Sequence, residues 1–295
     1  MQIITQENQK ELKEHGNFAF PVHISIEKIQ SYEQGFFLWH WHPEIELTLV
    51  LSGQIEYQIN DNTYILSRGD GLFGNSNALH TGRMTNGEEC TYLSITFHPR
   101  FLYGYENSIL QTKYVSYITS NEAWASLPLV KNVPWQCEIL SQMQQIYELS
   151  KTSTRDLELQ IHMLLISIWQ KLYQHFSTQP SNEIKTQQHI KRLRDILSYI
   201  EHHYNQEISL EDVAKSATIC KSECCRFFKK HMGITIFDYI LYLRIQKSLP
   251  LLQDASSITE AASRVGFSSP SYYSQIFKRY MKCTPMEYKS CSTTF

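Results

Sequence analysis

What this sequence lacks narrows its class before any motif is read. No apolar run approaches the ~18 residues that a membrane-spanning helix requires. The opening stretch MQIITQENQKELKEHG has none of the apolar core carried by a secretory signal. Seven cysteines (Cys90, Cys137, Cys220, Cys224, Cys225, Cys283 and Cys291) form no Cys-x-x-Cys pair, so nothing in their spacing suggests a zinc site. Their odd count reads as reduced thiols, used partly as small apolar residues. These absences predict a soluble, cytoplasmic protein with no membrane partner. Net charge is also nearly missing: 27 basic against 29 acidic residues leave a formal −2. That balance conceals an asymmetry. From Lys185 onward 16 basic residues face 10 acidic ones, a net of +6, which leaves −8 for residues 1–184. A basic C-terminal third behind an acidic remainder is the distribution expected of a nucleic-acid reader joined to something else. At 295 residues there is room for two domains, each with its own core.

What is present is a pattern that occurs twice near the C-terminus. The first copy runs Leu210-Glu211-Asp212-Val213-Ala214, then Arg226-Phe227-Phe228-Lys229-Lys230, then Gly233-Ile234-Thr235 and Tyr239. The second runs Ile258-Thr259-Glu260-Ala261-Ala262, then Gly266-Phe267, then Ile276-Phe277-Lys278-Arg279, then Thr284-Pro285 and Tyr288. Phe228 and Phe277, Thr235 and Thr284, and Tyr239 and Tyr288 are each 49 positions apart. Each copy reads as a short helix, a tight turn and a second helix ending in basic residues. Two helix-turn-helix units in tandem predict binding to double-stranded DNA. Ser257-Ile258-Thr259-Glu260 is a capping box, and Ser209-Leu210-Glu211-Asp212 a shorter-armed version of it. Ser269 and Pro270 suit the cap and first position of the last recognition helix.

These residues resemble the AraC/XylS family of bacterial transcription regulators. Gly266-Phe267-Ser268-Ser269-Pro270-Ser271-Tyr272-Tyr273, with Phe277-Lys278-Arg279 and Thr284-Pro285-x-x-Tyr288, looks like that family's signature. The resemblance covers about residues 190–290 and implies two reading units joined by a helix from Ile236 to about Leu252. It departs from the family pattern at Lys282, where Gly is usual, and at Cys220, where a capping Ser is expected. Pro250 departs too, and should kink or shorten the joining helix. By motif position Ser222, Cys225, Arg226, Ser271, Ser274 and Gln275 would face the bases. Arg226 suits a bidentate contact to guanine, and Gln275 suits adenine. Lys221, Lys229, Lys230, Lys278 and Arg279 would contact phosphates. The resemblance also implies RNA polymerase as a partner.

Residues 18–98 read as short strands. Ile55–Ile59 alternates, Asn60-Asp61-Asn62 turns into Thr63–Leu66, Ser67–Gly71 is another turn, and Cys90–Phe97 a further strand. Even spacing of this kind suggests a β-sandwich or barrel. From Gln136 the period turns helical, with Ile139, Met143 and Ile146 on one stripe. Leu157, Ile161, Leu164, Leu165, Ile168 and Leu172 form a longer one, read as the dimerisation face of a helical hairpin and hence a homodimer.

Within this half, His40-x-His42-x-x-x-Glu46, followed by Gly53 and later His80, resembles the motifs of cupin barrels, where such residues point into the lumen. Three histidines and a carboxylate would suit iron or manganese. A metal-dependent cupin enzyme with an appended DNA-binding domain therefore stands as the competing reading. By resemblance, cupin-like domains joined to this type of DNA-binding domain sense small molecules and often lack metal. His40, His42, Glu46 and His80 are accordingly read as lining an effector pocket, with Trp39, Trp41 and Tyr57 as aromatic walls. No catalytic residue, metal or other cofactor is expected, and the effector is a small molecule such as a sugar.

The expected architecture is α+β and multidomain. A flexible stretch at 1–17 precedes a cupin-like effector-sensing β-barrel at 18–134 and dimerisation helices at 135–176. A linker at 177–185 then leads to an all-α tandem helix-turn-helix domain at 186–295.

Overall fold

The computed structural model describes residues 2–6, 9–179, 183–232, 234–253 and 257–292. They fall into two compact units, Met1–Gln187 and Gln188–Phe295.

The described residues of the first unit form nine strands: β1 (Val22–Lys28), β2 (Phe36–His40), β3 (Ile45–Ser52), β4 (Gln54–Ile59), β5 (Asn62–Ser67), β6 (Gly71–Gly74), β7 (His80–Met84), β8 (Thr91–Phe97) and β9 (Ser126–Leu129). They form two antiparallel sheets, ordered β1-β8-β3-β6-β9 and β2-β7-β4-β5. The β4–β5 hairpin turns where the sequence places it, with Asn60 in the left-handed region at φ 47°. Because side chains alternate along a strand, β3 serves two interiors. Ile45, Leu47 and Leu49 join one apolar core, while Val50 joins a second with Ile55, Tyr57 and Ile59 of β4. Glu46 is the charged residue in the inward-facing half of this strand, its side chain 13% exposed.

After two short helices, α1 (Arg100–Tyr103) and α2 (Ser116–Thr119), come α3 (Pro134–Ser150) and α4 (Leu157–Phe176). Here the structure corrects the dimerisation reading. Ile161, Leu165, Ile168 and Leu172 are each 1% exposed, in one core with Ile139, Met143 and Ile146 of α3 and Leu47, Phe73 and Ile95 of the five-stranded sheet. Leu157 and Leu164 pack against the same core. Apolar periodicity marks a face that must be buried, and the domain's own sheet covers this one. What α4 leaves outside is a different stripe: Leu159, Met163 and Ile166, at 60%, 65% and 39% exposure.

The stretch 1–17 is corrected as well. Thr5 bridges to Glu11, Lys10 bridges to Trp41, and the Gln2 side-chain amide donates to the carbonyl of Phe36 at 2.8 Å. Unpaired backbone and apolar side chains near a cavity mouth find partners there rather than in water.

α5 (Glu183–His203) begins within the expected linker 177–185, of which Pro180, Ser181 and Asn182 lie outside the described residues, and from Gln188 onward it belongs to the second unit. Leu193, Leu197 and Ile200 are its buried face, and the Ile190 side chain lies outside the described set. There follow α6 (Leu210–Ser216), α7 (Lys221–Met232), α8 (Ile236–Gln253), α9 (Ile258–Arg264), α10 (Pro270–Met281) and α11 (Pro285–Ser292). The caps form as the sequence predicts. Ser209, Ser257 and Ser269 accept from the amides of Asp212, Glu260 and Tyr272, each contributing about 1 kcal/mol.

Pro250 does not end α8, which continues to Gln253. The proline falls in the last turn, so a break there would free only Leu251, Leu252 and Gln253. Lys282, in place of glycine, takes the left-handed capping conformation at φ 61°. Gly233 lies outside the described residues. The core of α9 and α10 is closed by Ile245, Leu249 and Leu252 of α8, with the buried Tyr273 hydroxyl donating to Ser248 Oγ at 2.9 Å. Arg244 of α8 donates to the carbonyls of Tyr204 and Gln206 at 2.6 and 2.7 Å.

Candidate functional site

Pairing of β2 with β7 sets His40 opposite His80 in register, with their ring centroids 4.1 Å apart. A bulge between Phe37 and His40 lets three residues of β2 span two of β7, so Phe37 and His40 both face inward. His42 follows on the turn into β3 and Glu46 lies within β3 itself. The four residues converge. Glu46 Oε2 is 3.5 Å from the Nε2 atoms of both His42 and His80, while Oε1 accepts from the hydroxyls of Thr48, Tyr57 and Ser94 at 3.1, 3.3 and 3.1 Å.

Burial opposes charge on every member, and neighbours decide which ones carry it. Desolvation works against the Glu46 carboxylate, but the hydrogen bond from His42 and the field of His80 outweigh it and hold the group well below the usual carboxylate range. Desolvation and the adjacent imidazoles push His40 far down and His80 down to about 4. For His42 the same desolvation is overcome by the bond to Glu46, which raises it. Burial, then Glu46, drives the Tyr57 phenol well above its ordinary value, so it remains a donor.

This cluster borders a cavity of about 520 Å³, a size suited to a small molecule. His40, His42, Glu46 and Tyr57 line it, and His80 lies behind them in a small adjoining void. Trp39 and Trp41 have no place in the wall, which corrects their expected role. The bulge turns His40 inward at the expense of Trp39, and Trp41 is taken up by pairing and by the Lys10 ammonium, 5.9 Å from its ring.

In the second unit the residues expected to read DNA lie on the outer faces of two helices. Lys221, Ser222, Cys225, Arg226 and Lys229 are exposed on α7, opposite buried Cys224, Phe227 and Phe228. The Lys230 side chain lies outside the described residues. On α10, Ser271, Gln275, Lys278 and Arg279 are exposed and Ser274 half-buried, opposite Tyr273, Ile276 and Phe277. Two of the cations already have partners: Lys221 approaches Glu211 at 3.7 Å and Arg279 approaches Asp238 at 3.5 Å. Both pairs are exposed and weak enough to exchange for phosphate.

Comparison with known proteins agrees with this division. The profile of a helix-turn-helix domain matches residues 213–290, and that of an AraC-like ligand binding domain matches residues 25–166. An uncharacterised HTH-type transcriptional regulator of Bacillus subtilis is 35% identical over 99% of this chain and 99% of its own. The chain belongs to the AraC family of transcriptional regulators.

Other members of the family are more distant. The melibiose operon regulatory protein of Escherichia coli is 24% identical over 86% of this chain and 83% of its own. An HTH-type transcriptional activator of Mannheimia succiniciproducens is 27% identical over 90% and 91%. Among solved structures, an apo ToxT variant of Vibrio cholerae covers 94% of this chain and 99% of its own at 14% identity, with a TM-score of 0.43. The two matched profiles show that this AraC-family regulator joins a ligand-binding domain to a DNA-binding one. Among its described residues no helix is long and apolar enough to cross a membrane.

Several pocket residues were not legible in the sequence of this AraC-family chain. Glu11 and His15 reach the cavity from the N-terminal segment, with His15 3.5 Å from Glu11 and 3.6 Å from Glu44. Tyr32, Tyr92, Ser94 and Thr96 complete walls that Trp39 and Trp41 do not. Strand alternation in Cys90–Phe97 could have flagged Tyr92, Ser94 and Thr96 as one face. Nothing local could have flagged Glu11.

Proposed function

We propose that this chain is a homodimeric, effector-controlled regulator of transcription rather than an enzyme. In this reading the cavity beside His40, His42 and Glu46 takes a small polyhydroxylated molecule, sugar-like in class. The observation that carries the proposal is the character of that cavity: carboxylates, histidines and hydroxyls set among the rings of Tyr32, Phe37 and Tyr92. Aromatic faces stack on sugar C–H surfaces while carboxylates accept from sugar hydroxyls. The name of the melibiose operon relative supports the same class.

Arg226 and Gln275 would be the main base contacts, with Ser222, Cys225, Ser271 and Ser274 beside them. Lys221, Lys229, Lys230, Lys278 and Arg279 would position the phosphates. Dimerisation would use the outward stripe Leu159, Met163 and Ile166 of α4, exposed apolar surface of the kind that partners cover. RNA polymerase would be the further partner, and the cytoplasm the compartment.

An effector acts only if it binds the two arrangements of the regulator with different affinity. The test is DNA affinity of the full chain, by fluorescence anisotropy, against a panel of neutral sugars, sugar acids and aromatic acids. A shift with one sugar, lost in Tyr92→Ala, is expected. A response confined to aromatic acids would overturn the sugar class, and turnover of any panel member would revive the enzyme.

A further inference from the structure

We propose that the effector is a sugar-class molecule bearing a primary ammonium group, seated between His40 and Glu11. This rests on the effector reading of the cavity and adds the charge of its occupant. Among the described residues the cavity wall sets three carboxylates, Glu11, Glu27 and Glu46, against a single Lys or Arg side chain, the exposed Lys13. Hydroxyls of the wall are spent on those carboxylates. Ser25 and Tyr32 donate to Glu27 at 2.7 and 3.2 Å, and Tyr57 and Ser94 donate to Glu46 at 3.3 and 3.1 Å. Such a wall turns mostly lone pairs and negative charge inward, so it selects an occupant rich in donors and positive in sign.

One pair of acceptors locates the ammonium. A carbonyl oxygen only accepts, so Nδ1 of His40, 2.9 Å from Leu38 O, carries the hydrogen of that neutral ring, and Nε2 is a bare lone pair. It lies 3.7 Å from Glu11 Oε2. Among the described residues no hydroxyl or amide donates to the Glu11 carboxylate, whose side chain is 7% exposed, and the other imidazole near it is His15 at 3.5 Å. Two acceptors facing each other out of water are costly unless a donor stands between them. A sugar hydroxyl carries one hydrogen and answers only one of the two. An ammonium carries three, reaches both at the ~2.7–2.9 Å of a charge-assisted bond, and neutralises the carboxylate as well. Phe37, whose ring lies 5.5 Å from that of His40, adds an aromatic neighbour of the kind that attracts cations.

The experiment titrates the full chain by calorimetry with glucosamine, galactosamine and mannosamine, each beside its neutral hexose and its N-acetyl derivative. Ethanolamine and glucuronate complete the panel. One hexosamine should bind roughly tenfold tighter than both of its uncharged counterparts, the difference between a charge-assisted and a neutral hydrogen bond. Glu11→Gln should abolish that preference, and Lys13→Gln should leave it intact. Hexosamines no tighter than their neutral parents overturn the proposal, and the wild-type chain decides this even where Glu11→Gln does not fold. A neutral hexose or glucuronate as the tightest ligand overturns it too and leaves the sugar reading standing. Ethanolamine binding as tightly as any hexosamine upholds the ammonium and sinks the sugar. Silence across the whole panel overturns the proposal.

Discussion

Thr218 and Gly266 hold the same left-handed backbone position in the two helix-turn-helix units, at φ 57° and 88°. Each lets the next amide turn back to the helix before it: Ile219 donates to Ala214 at 3.1 Å and Phe267 to Ala262 at 2.9 Å. The positions are not interchangeable. A Cβ on Gly266 would meet the backbone of Asn205 at 2.8 Å, on the segment that Arg244 brackets through Tyr204 and Gln206. Gly266→Ala should therefore destabilise the DNA-binding unit by more than ~1 kcal/mol, through strain and displacement together. Urea denaturation of residues 185–295 measures it, and an unchanged midpoint would refute the steric account.

That fragment should also bind duplex DNA by itself, because its net charge of +6 and both reading helices lie within it. With ~6–10 phosphate contacts, affinity should fall by about three to five decades between 50 and 200 mM salt. A flat response would remove electrostatic contact with the backbone from the mechanism.

Arg226 is exposed on α7, on the face opposite buried Phe227 and Phe228. Arg226→Ala should cost ~1–3 kcal/mol at the specific site and relax preference at a single base pair. Selection from a randomised site library reads this directly. Uniform weakening across all sequences would reassign the residue to phosphate contact.

The two faces of α4 make opposite predictions. Leu165, 1% exposed in the core, should cost ~2–5 kcal/mol as Leu165→Ala without altering subunit association. Met163→Glu, at a side chain 65% exposed, should leave stability nearly unchanged and yield monomers in sedimentation. A dimer that survives Met163→Glu places the subunit contact elsewhere.

Cysteine chemistry gives a pH-dependent readout. A hydrogen bond from Ser222, then the amide of Glu223, lowers Cys220 below the usual thiol value, whereas burial pushes Cys90 and Cys224 up to about 11. The thiolate is the reacting form, so near neutral pH Cys220 should alkylate well before the other two, its rate rising with pH only up to its own lowered pKa. Bound DNA should protect it, since it precedes Lys221 at the start of α7. Mass mapping after iodoacetamide treatment tests both statements. Equal labelling of Cys220 and Cys224 would contradict them.

Periodicity and punctuation explain which parts of this architecture could be read in advance. Ser257, Ser269 and Pro270 act through neighbours within a few residues, so the helix starts were legible. The resemblance of His40, His42 and Glu46 to the cupin motif likewise implied that their side chains converge. Partners distant in sequence were not legible. The stripe from Leu157 to Leu172 announced its burial but not that its own sheet would cover it. The bulge that excludes Trp39 depends on register with β7, and Glu11 meets His40 only because the N-terminal segment is paired with Trp41. Residue type also misled at Pro250, since a break that late in the helix leaves only Leu251, Leu252 and Gln253 beyond it.

Helix α8 places a constraint on anyone redesigning this regulator. Its Tyr239 ring packs on Phe228 of α7, while Ile245, Leu249 and Leu252 of the same helix complete the core around α9 and α10. Neither reading unit owns a separable interior, so exchanging one whole unit for a homologous one would leave mismatched surfaces along α8. Exchange of outward side chains leaves this shared interior intact, whereas cut-and-paste of modules does not.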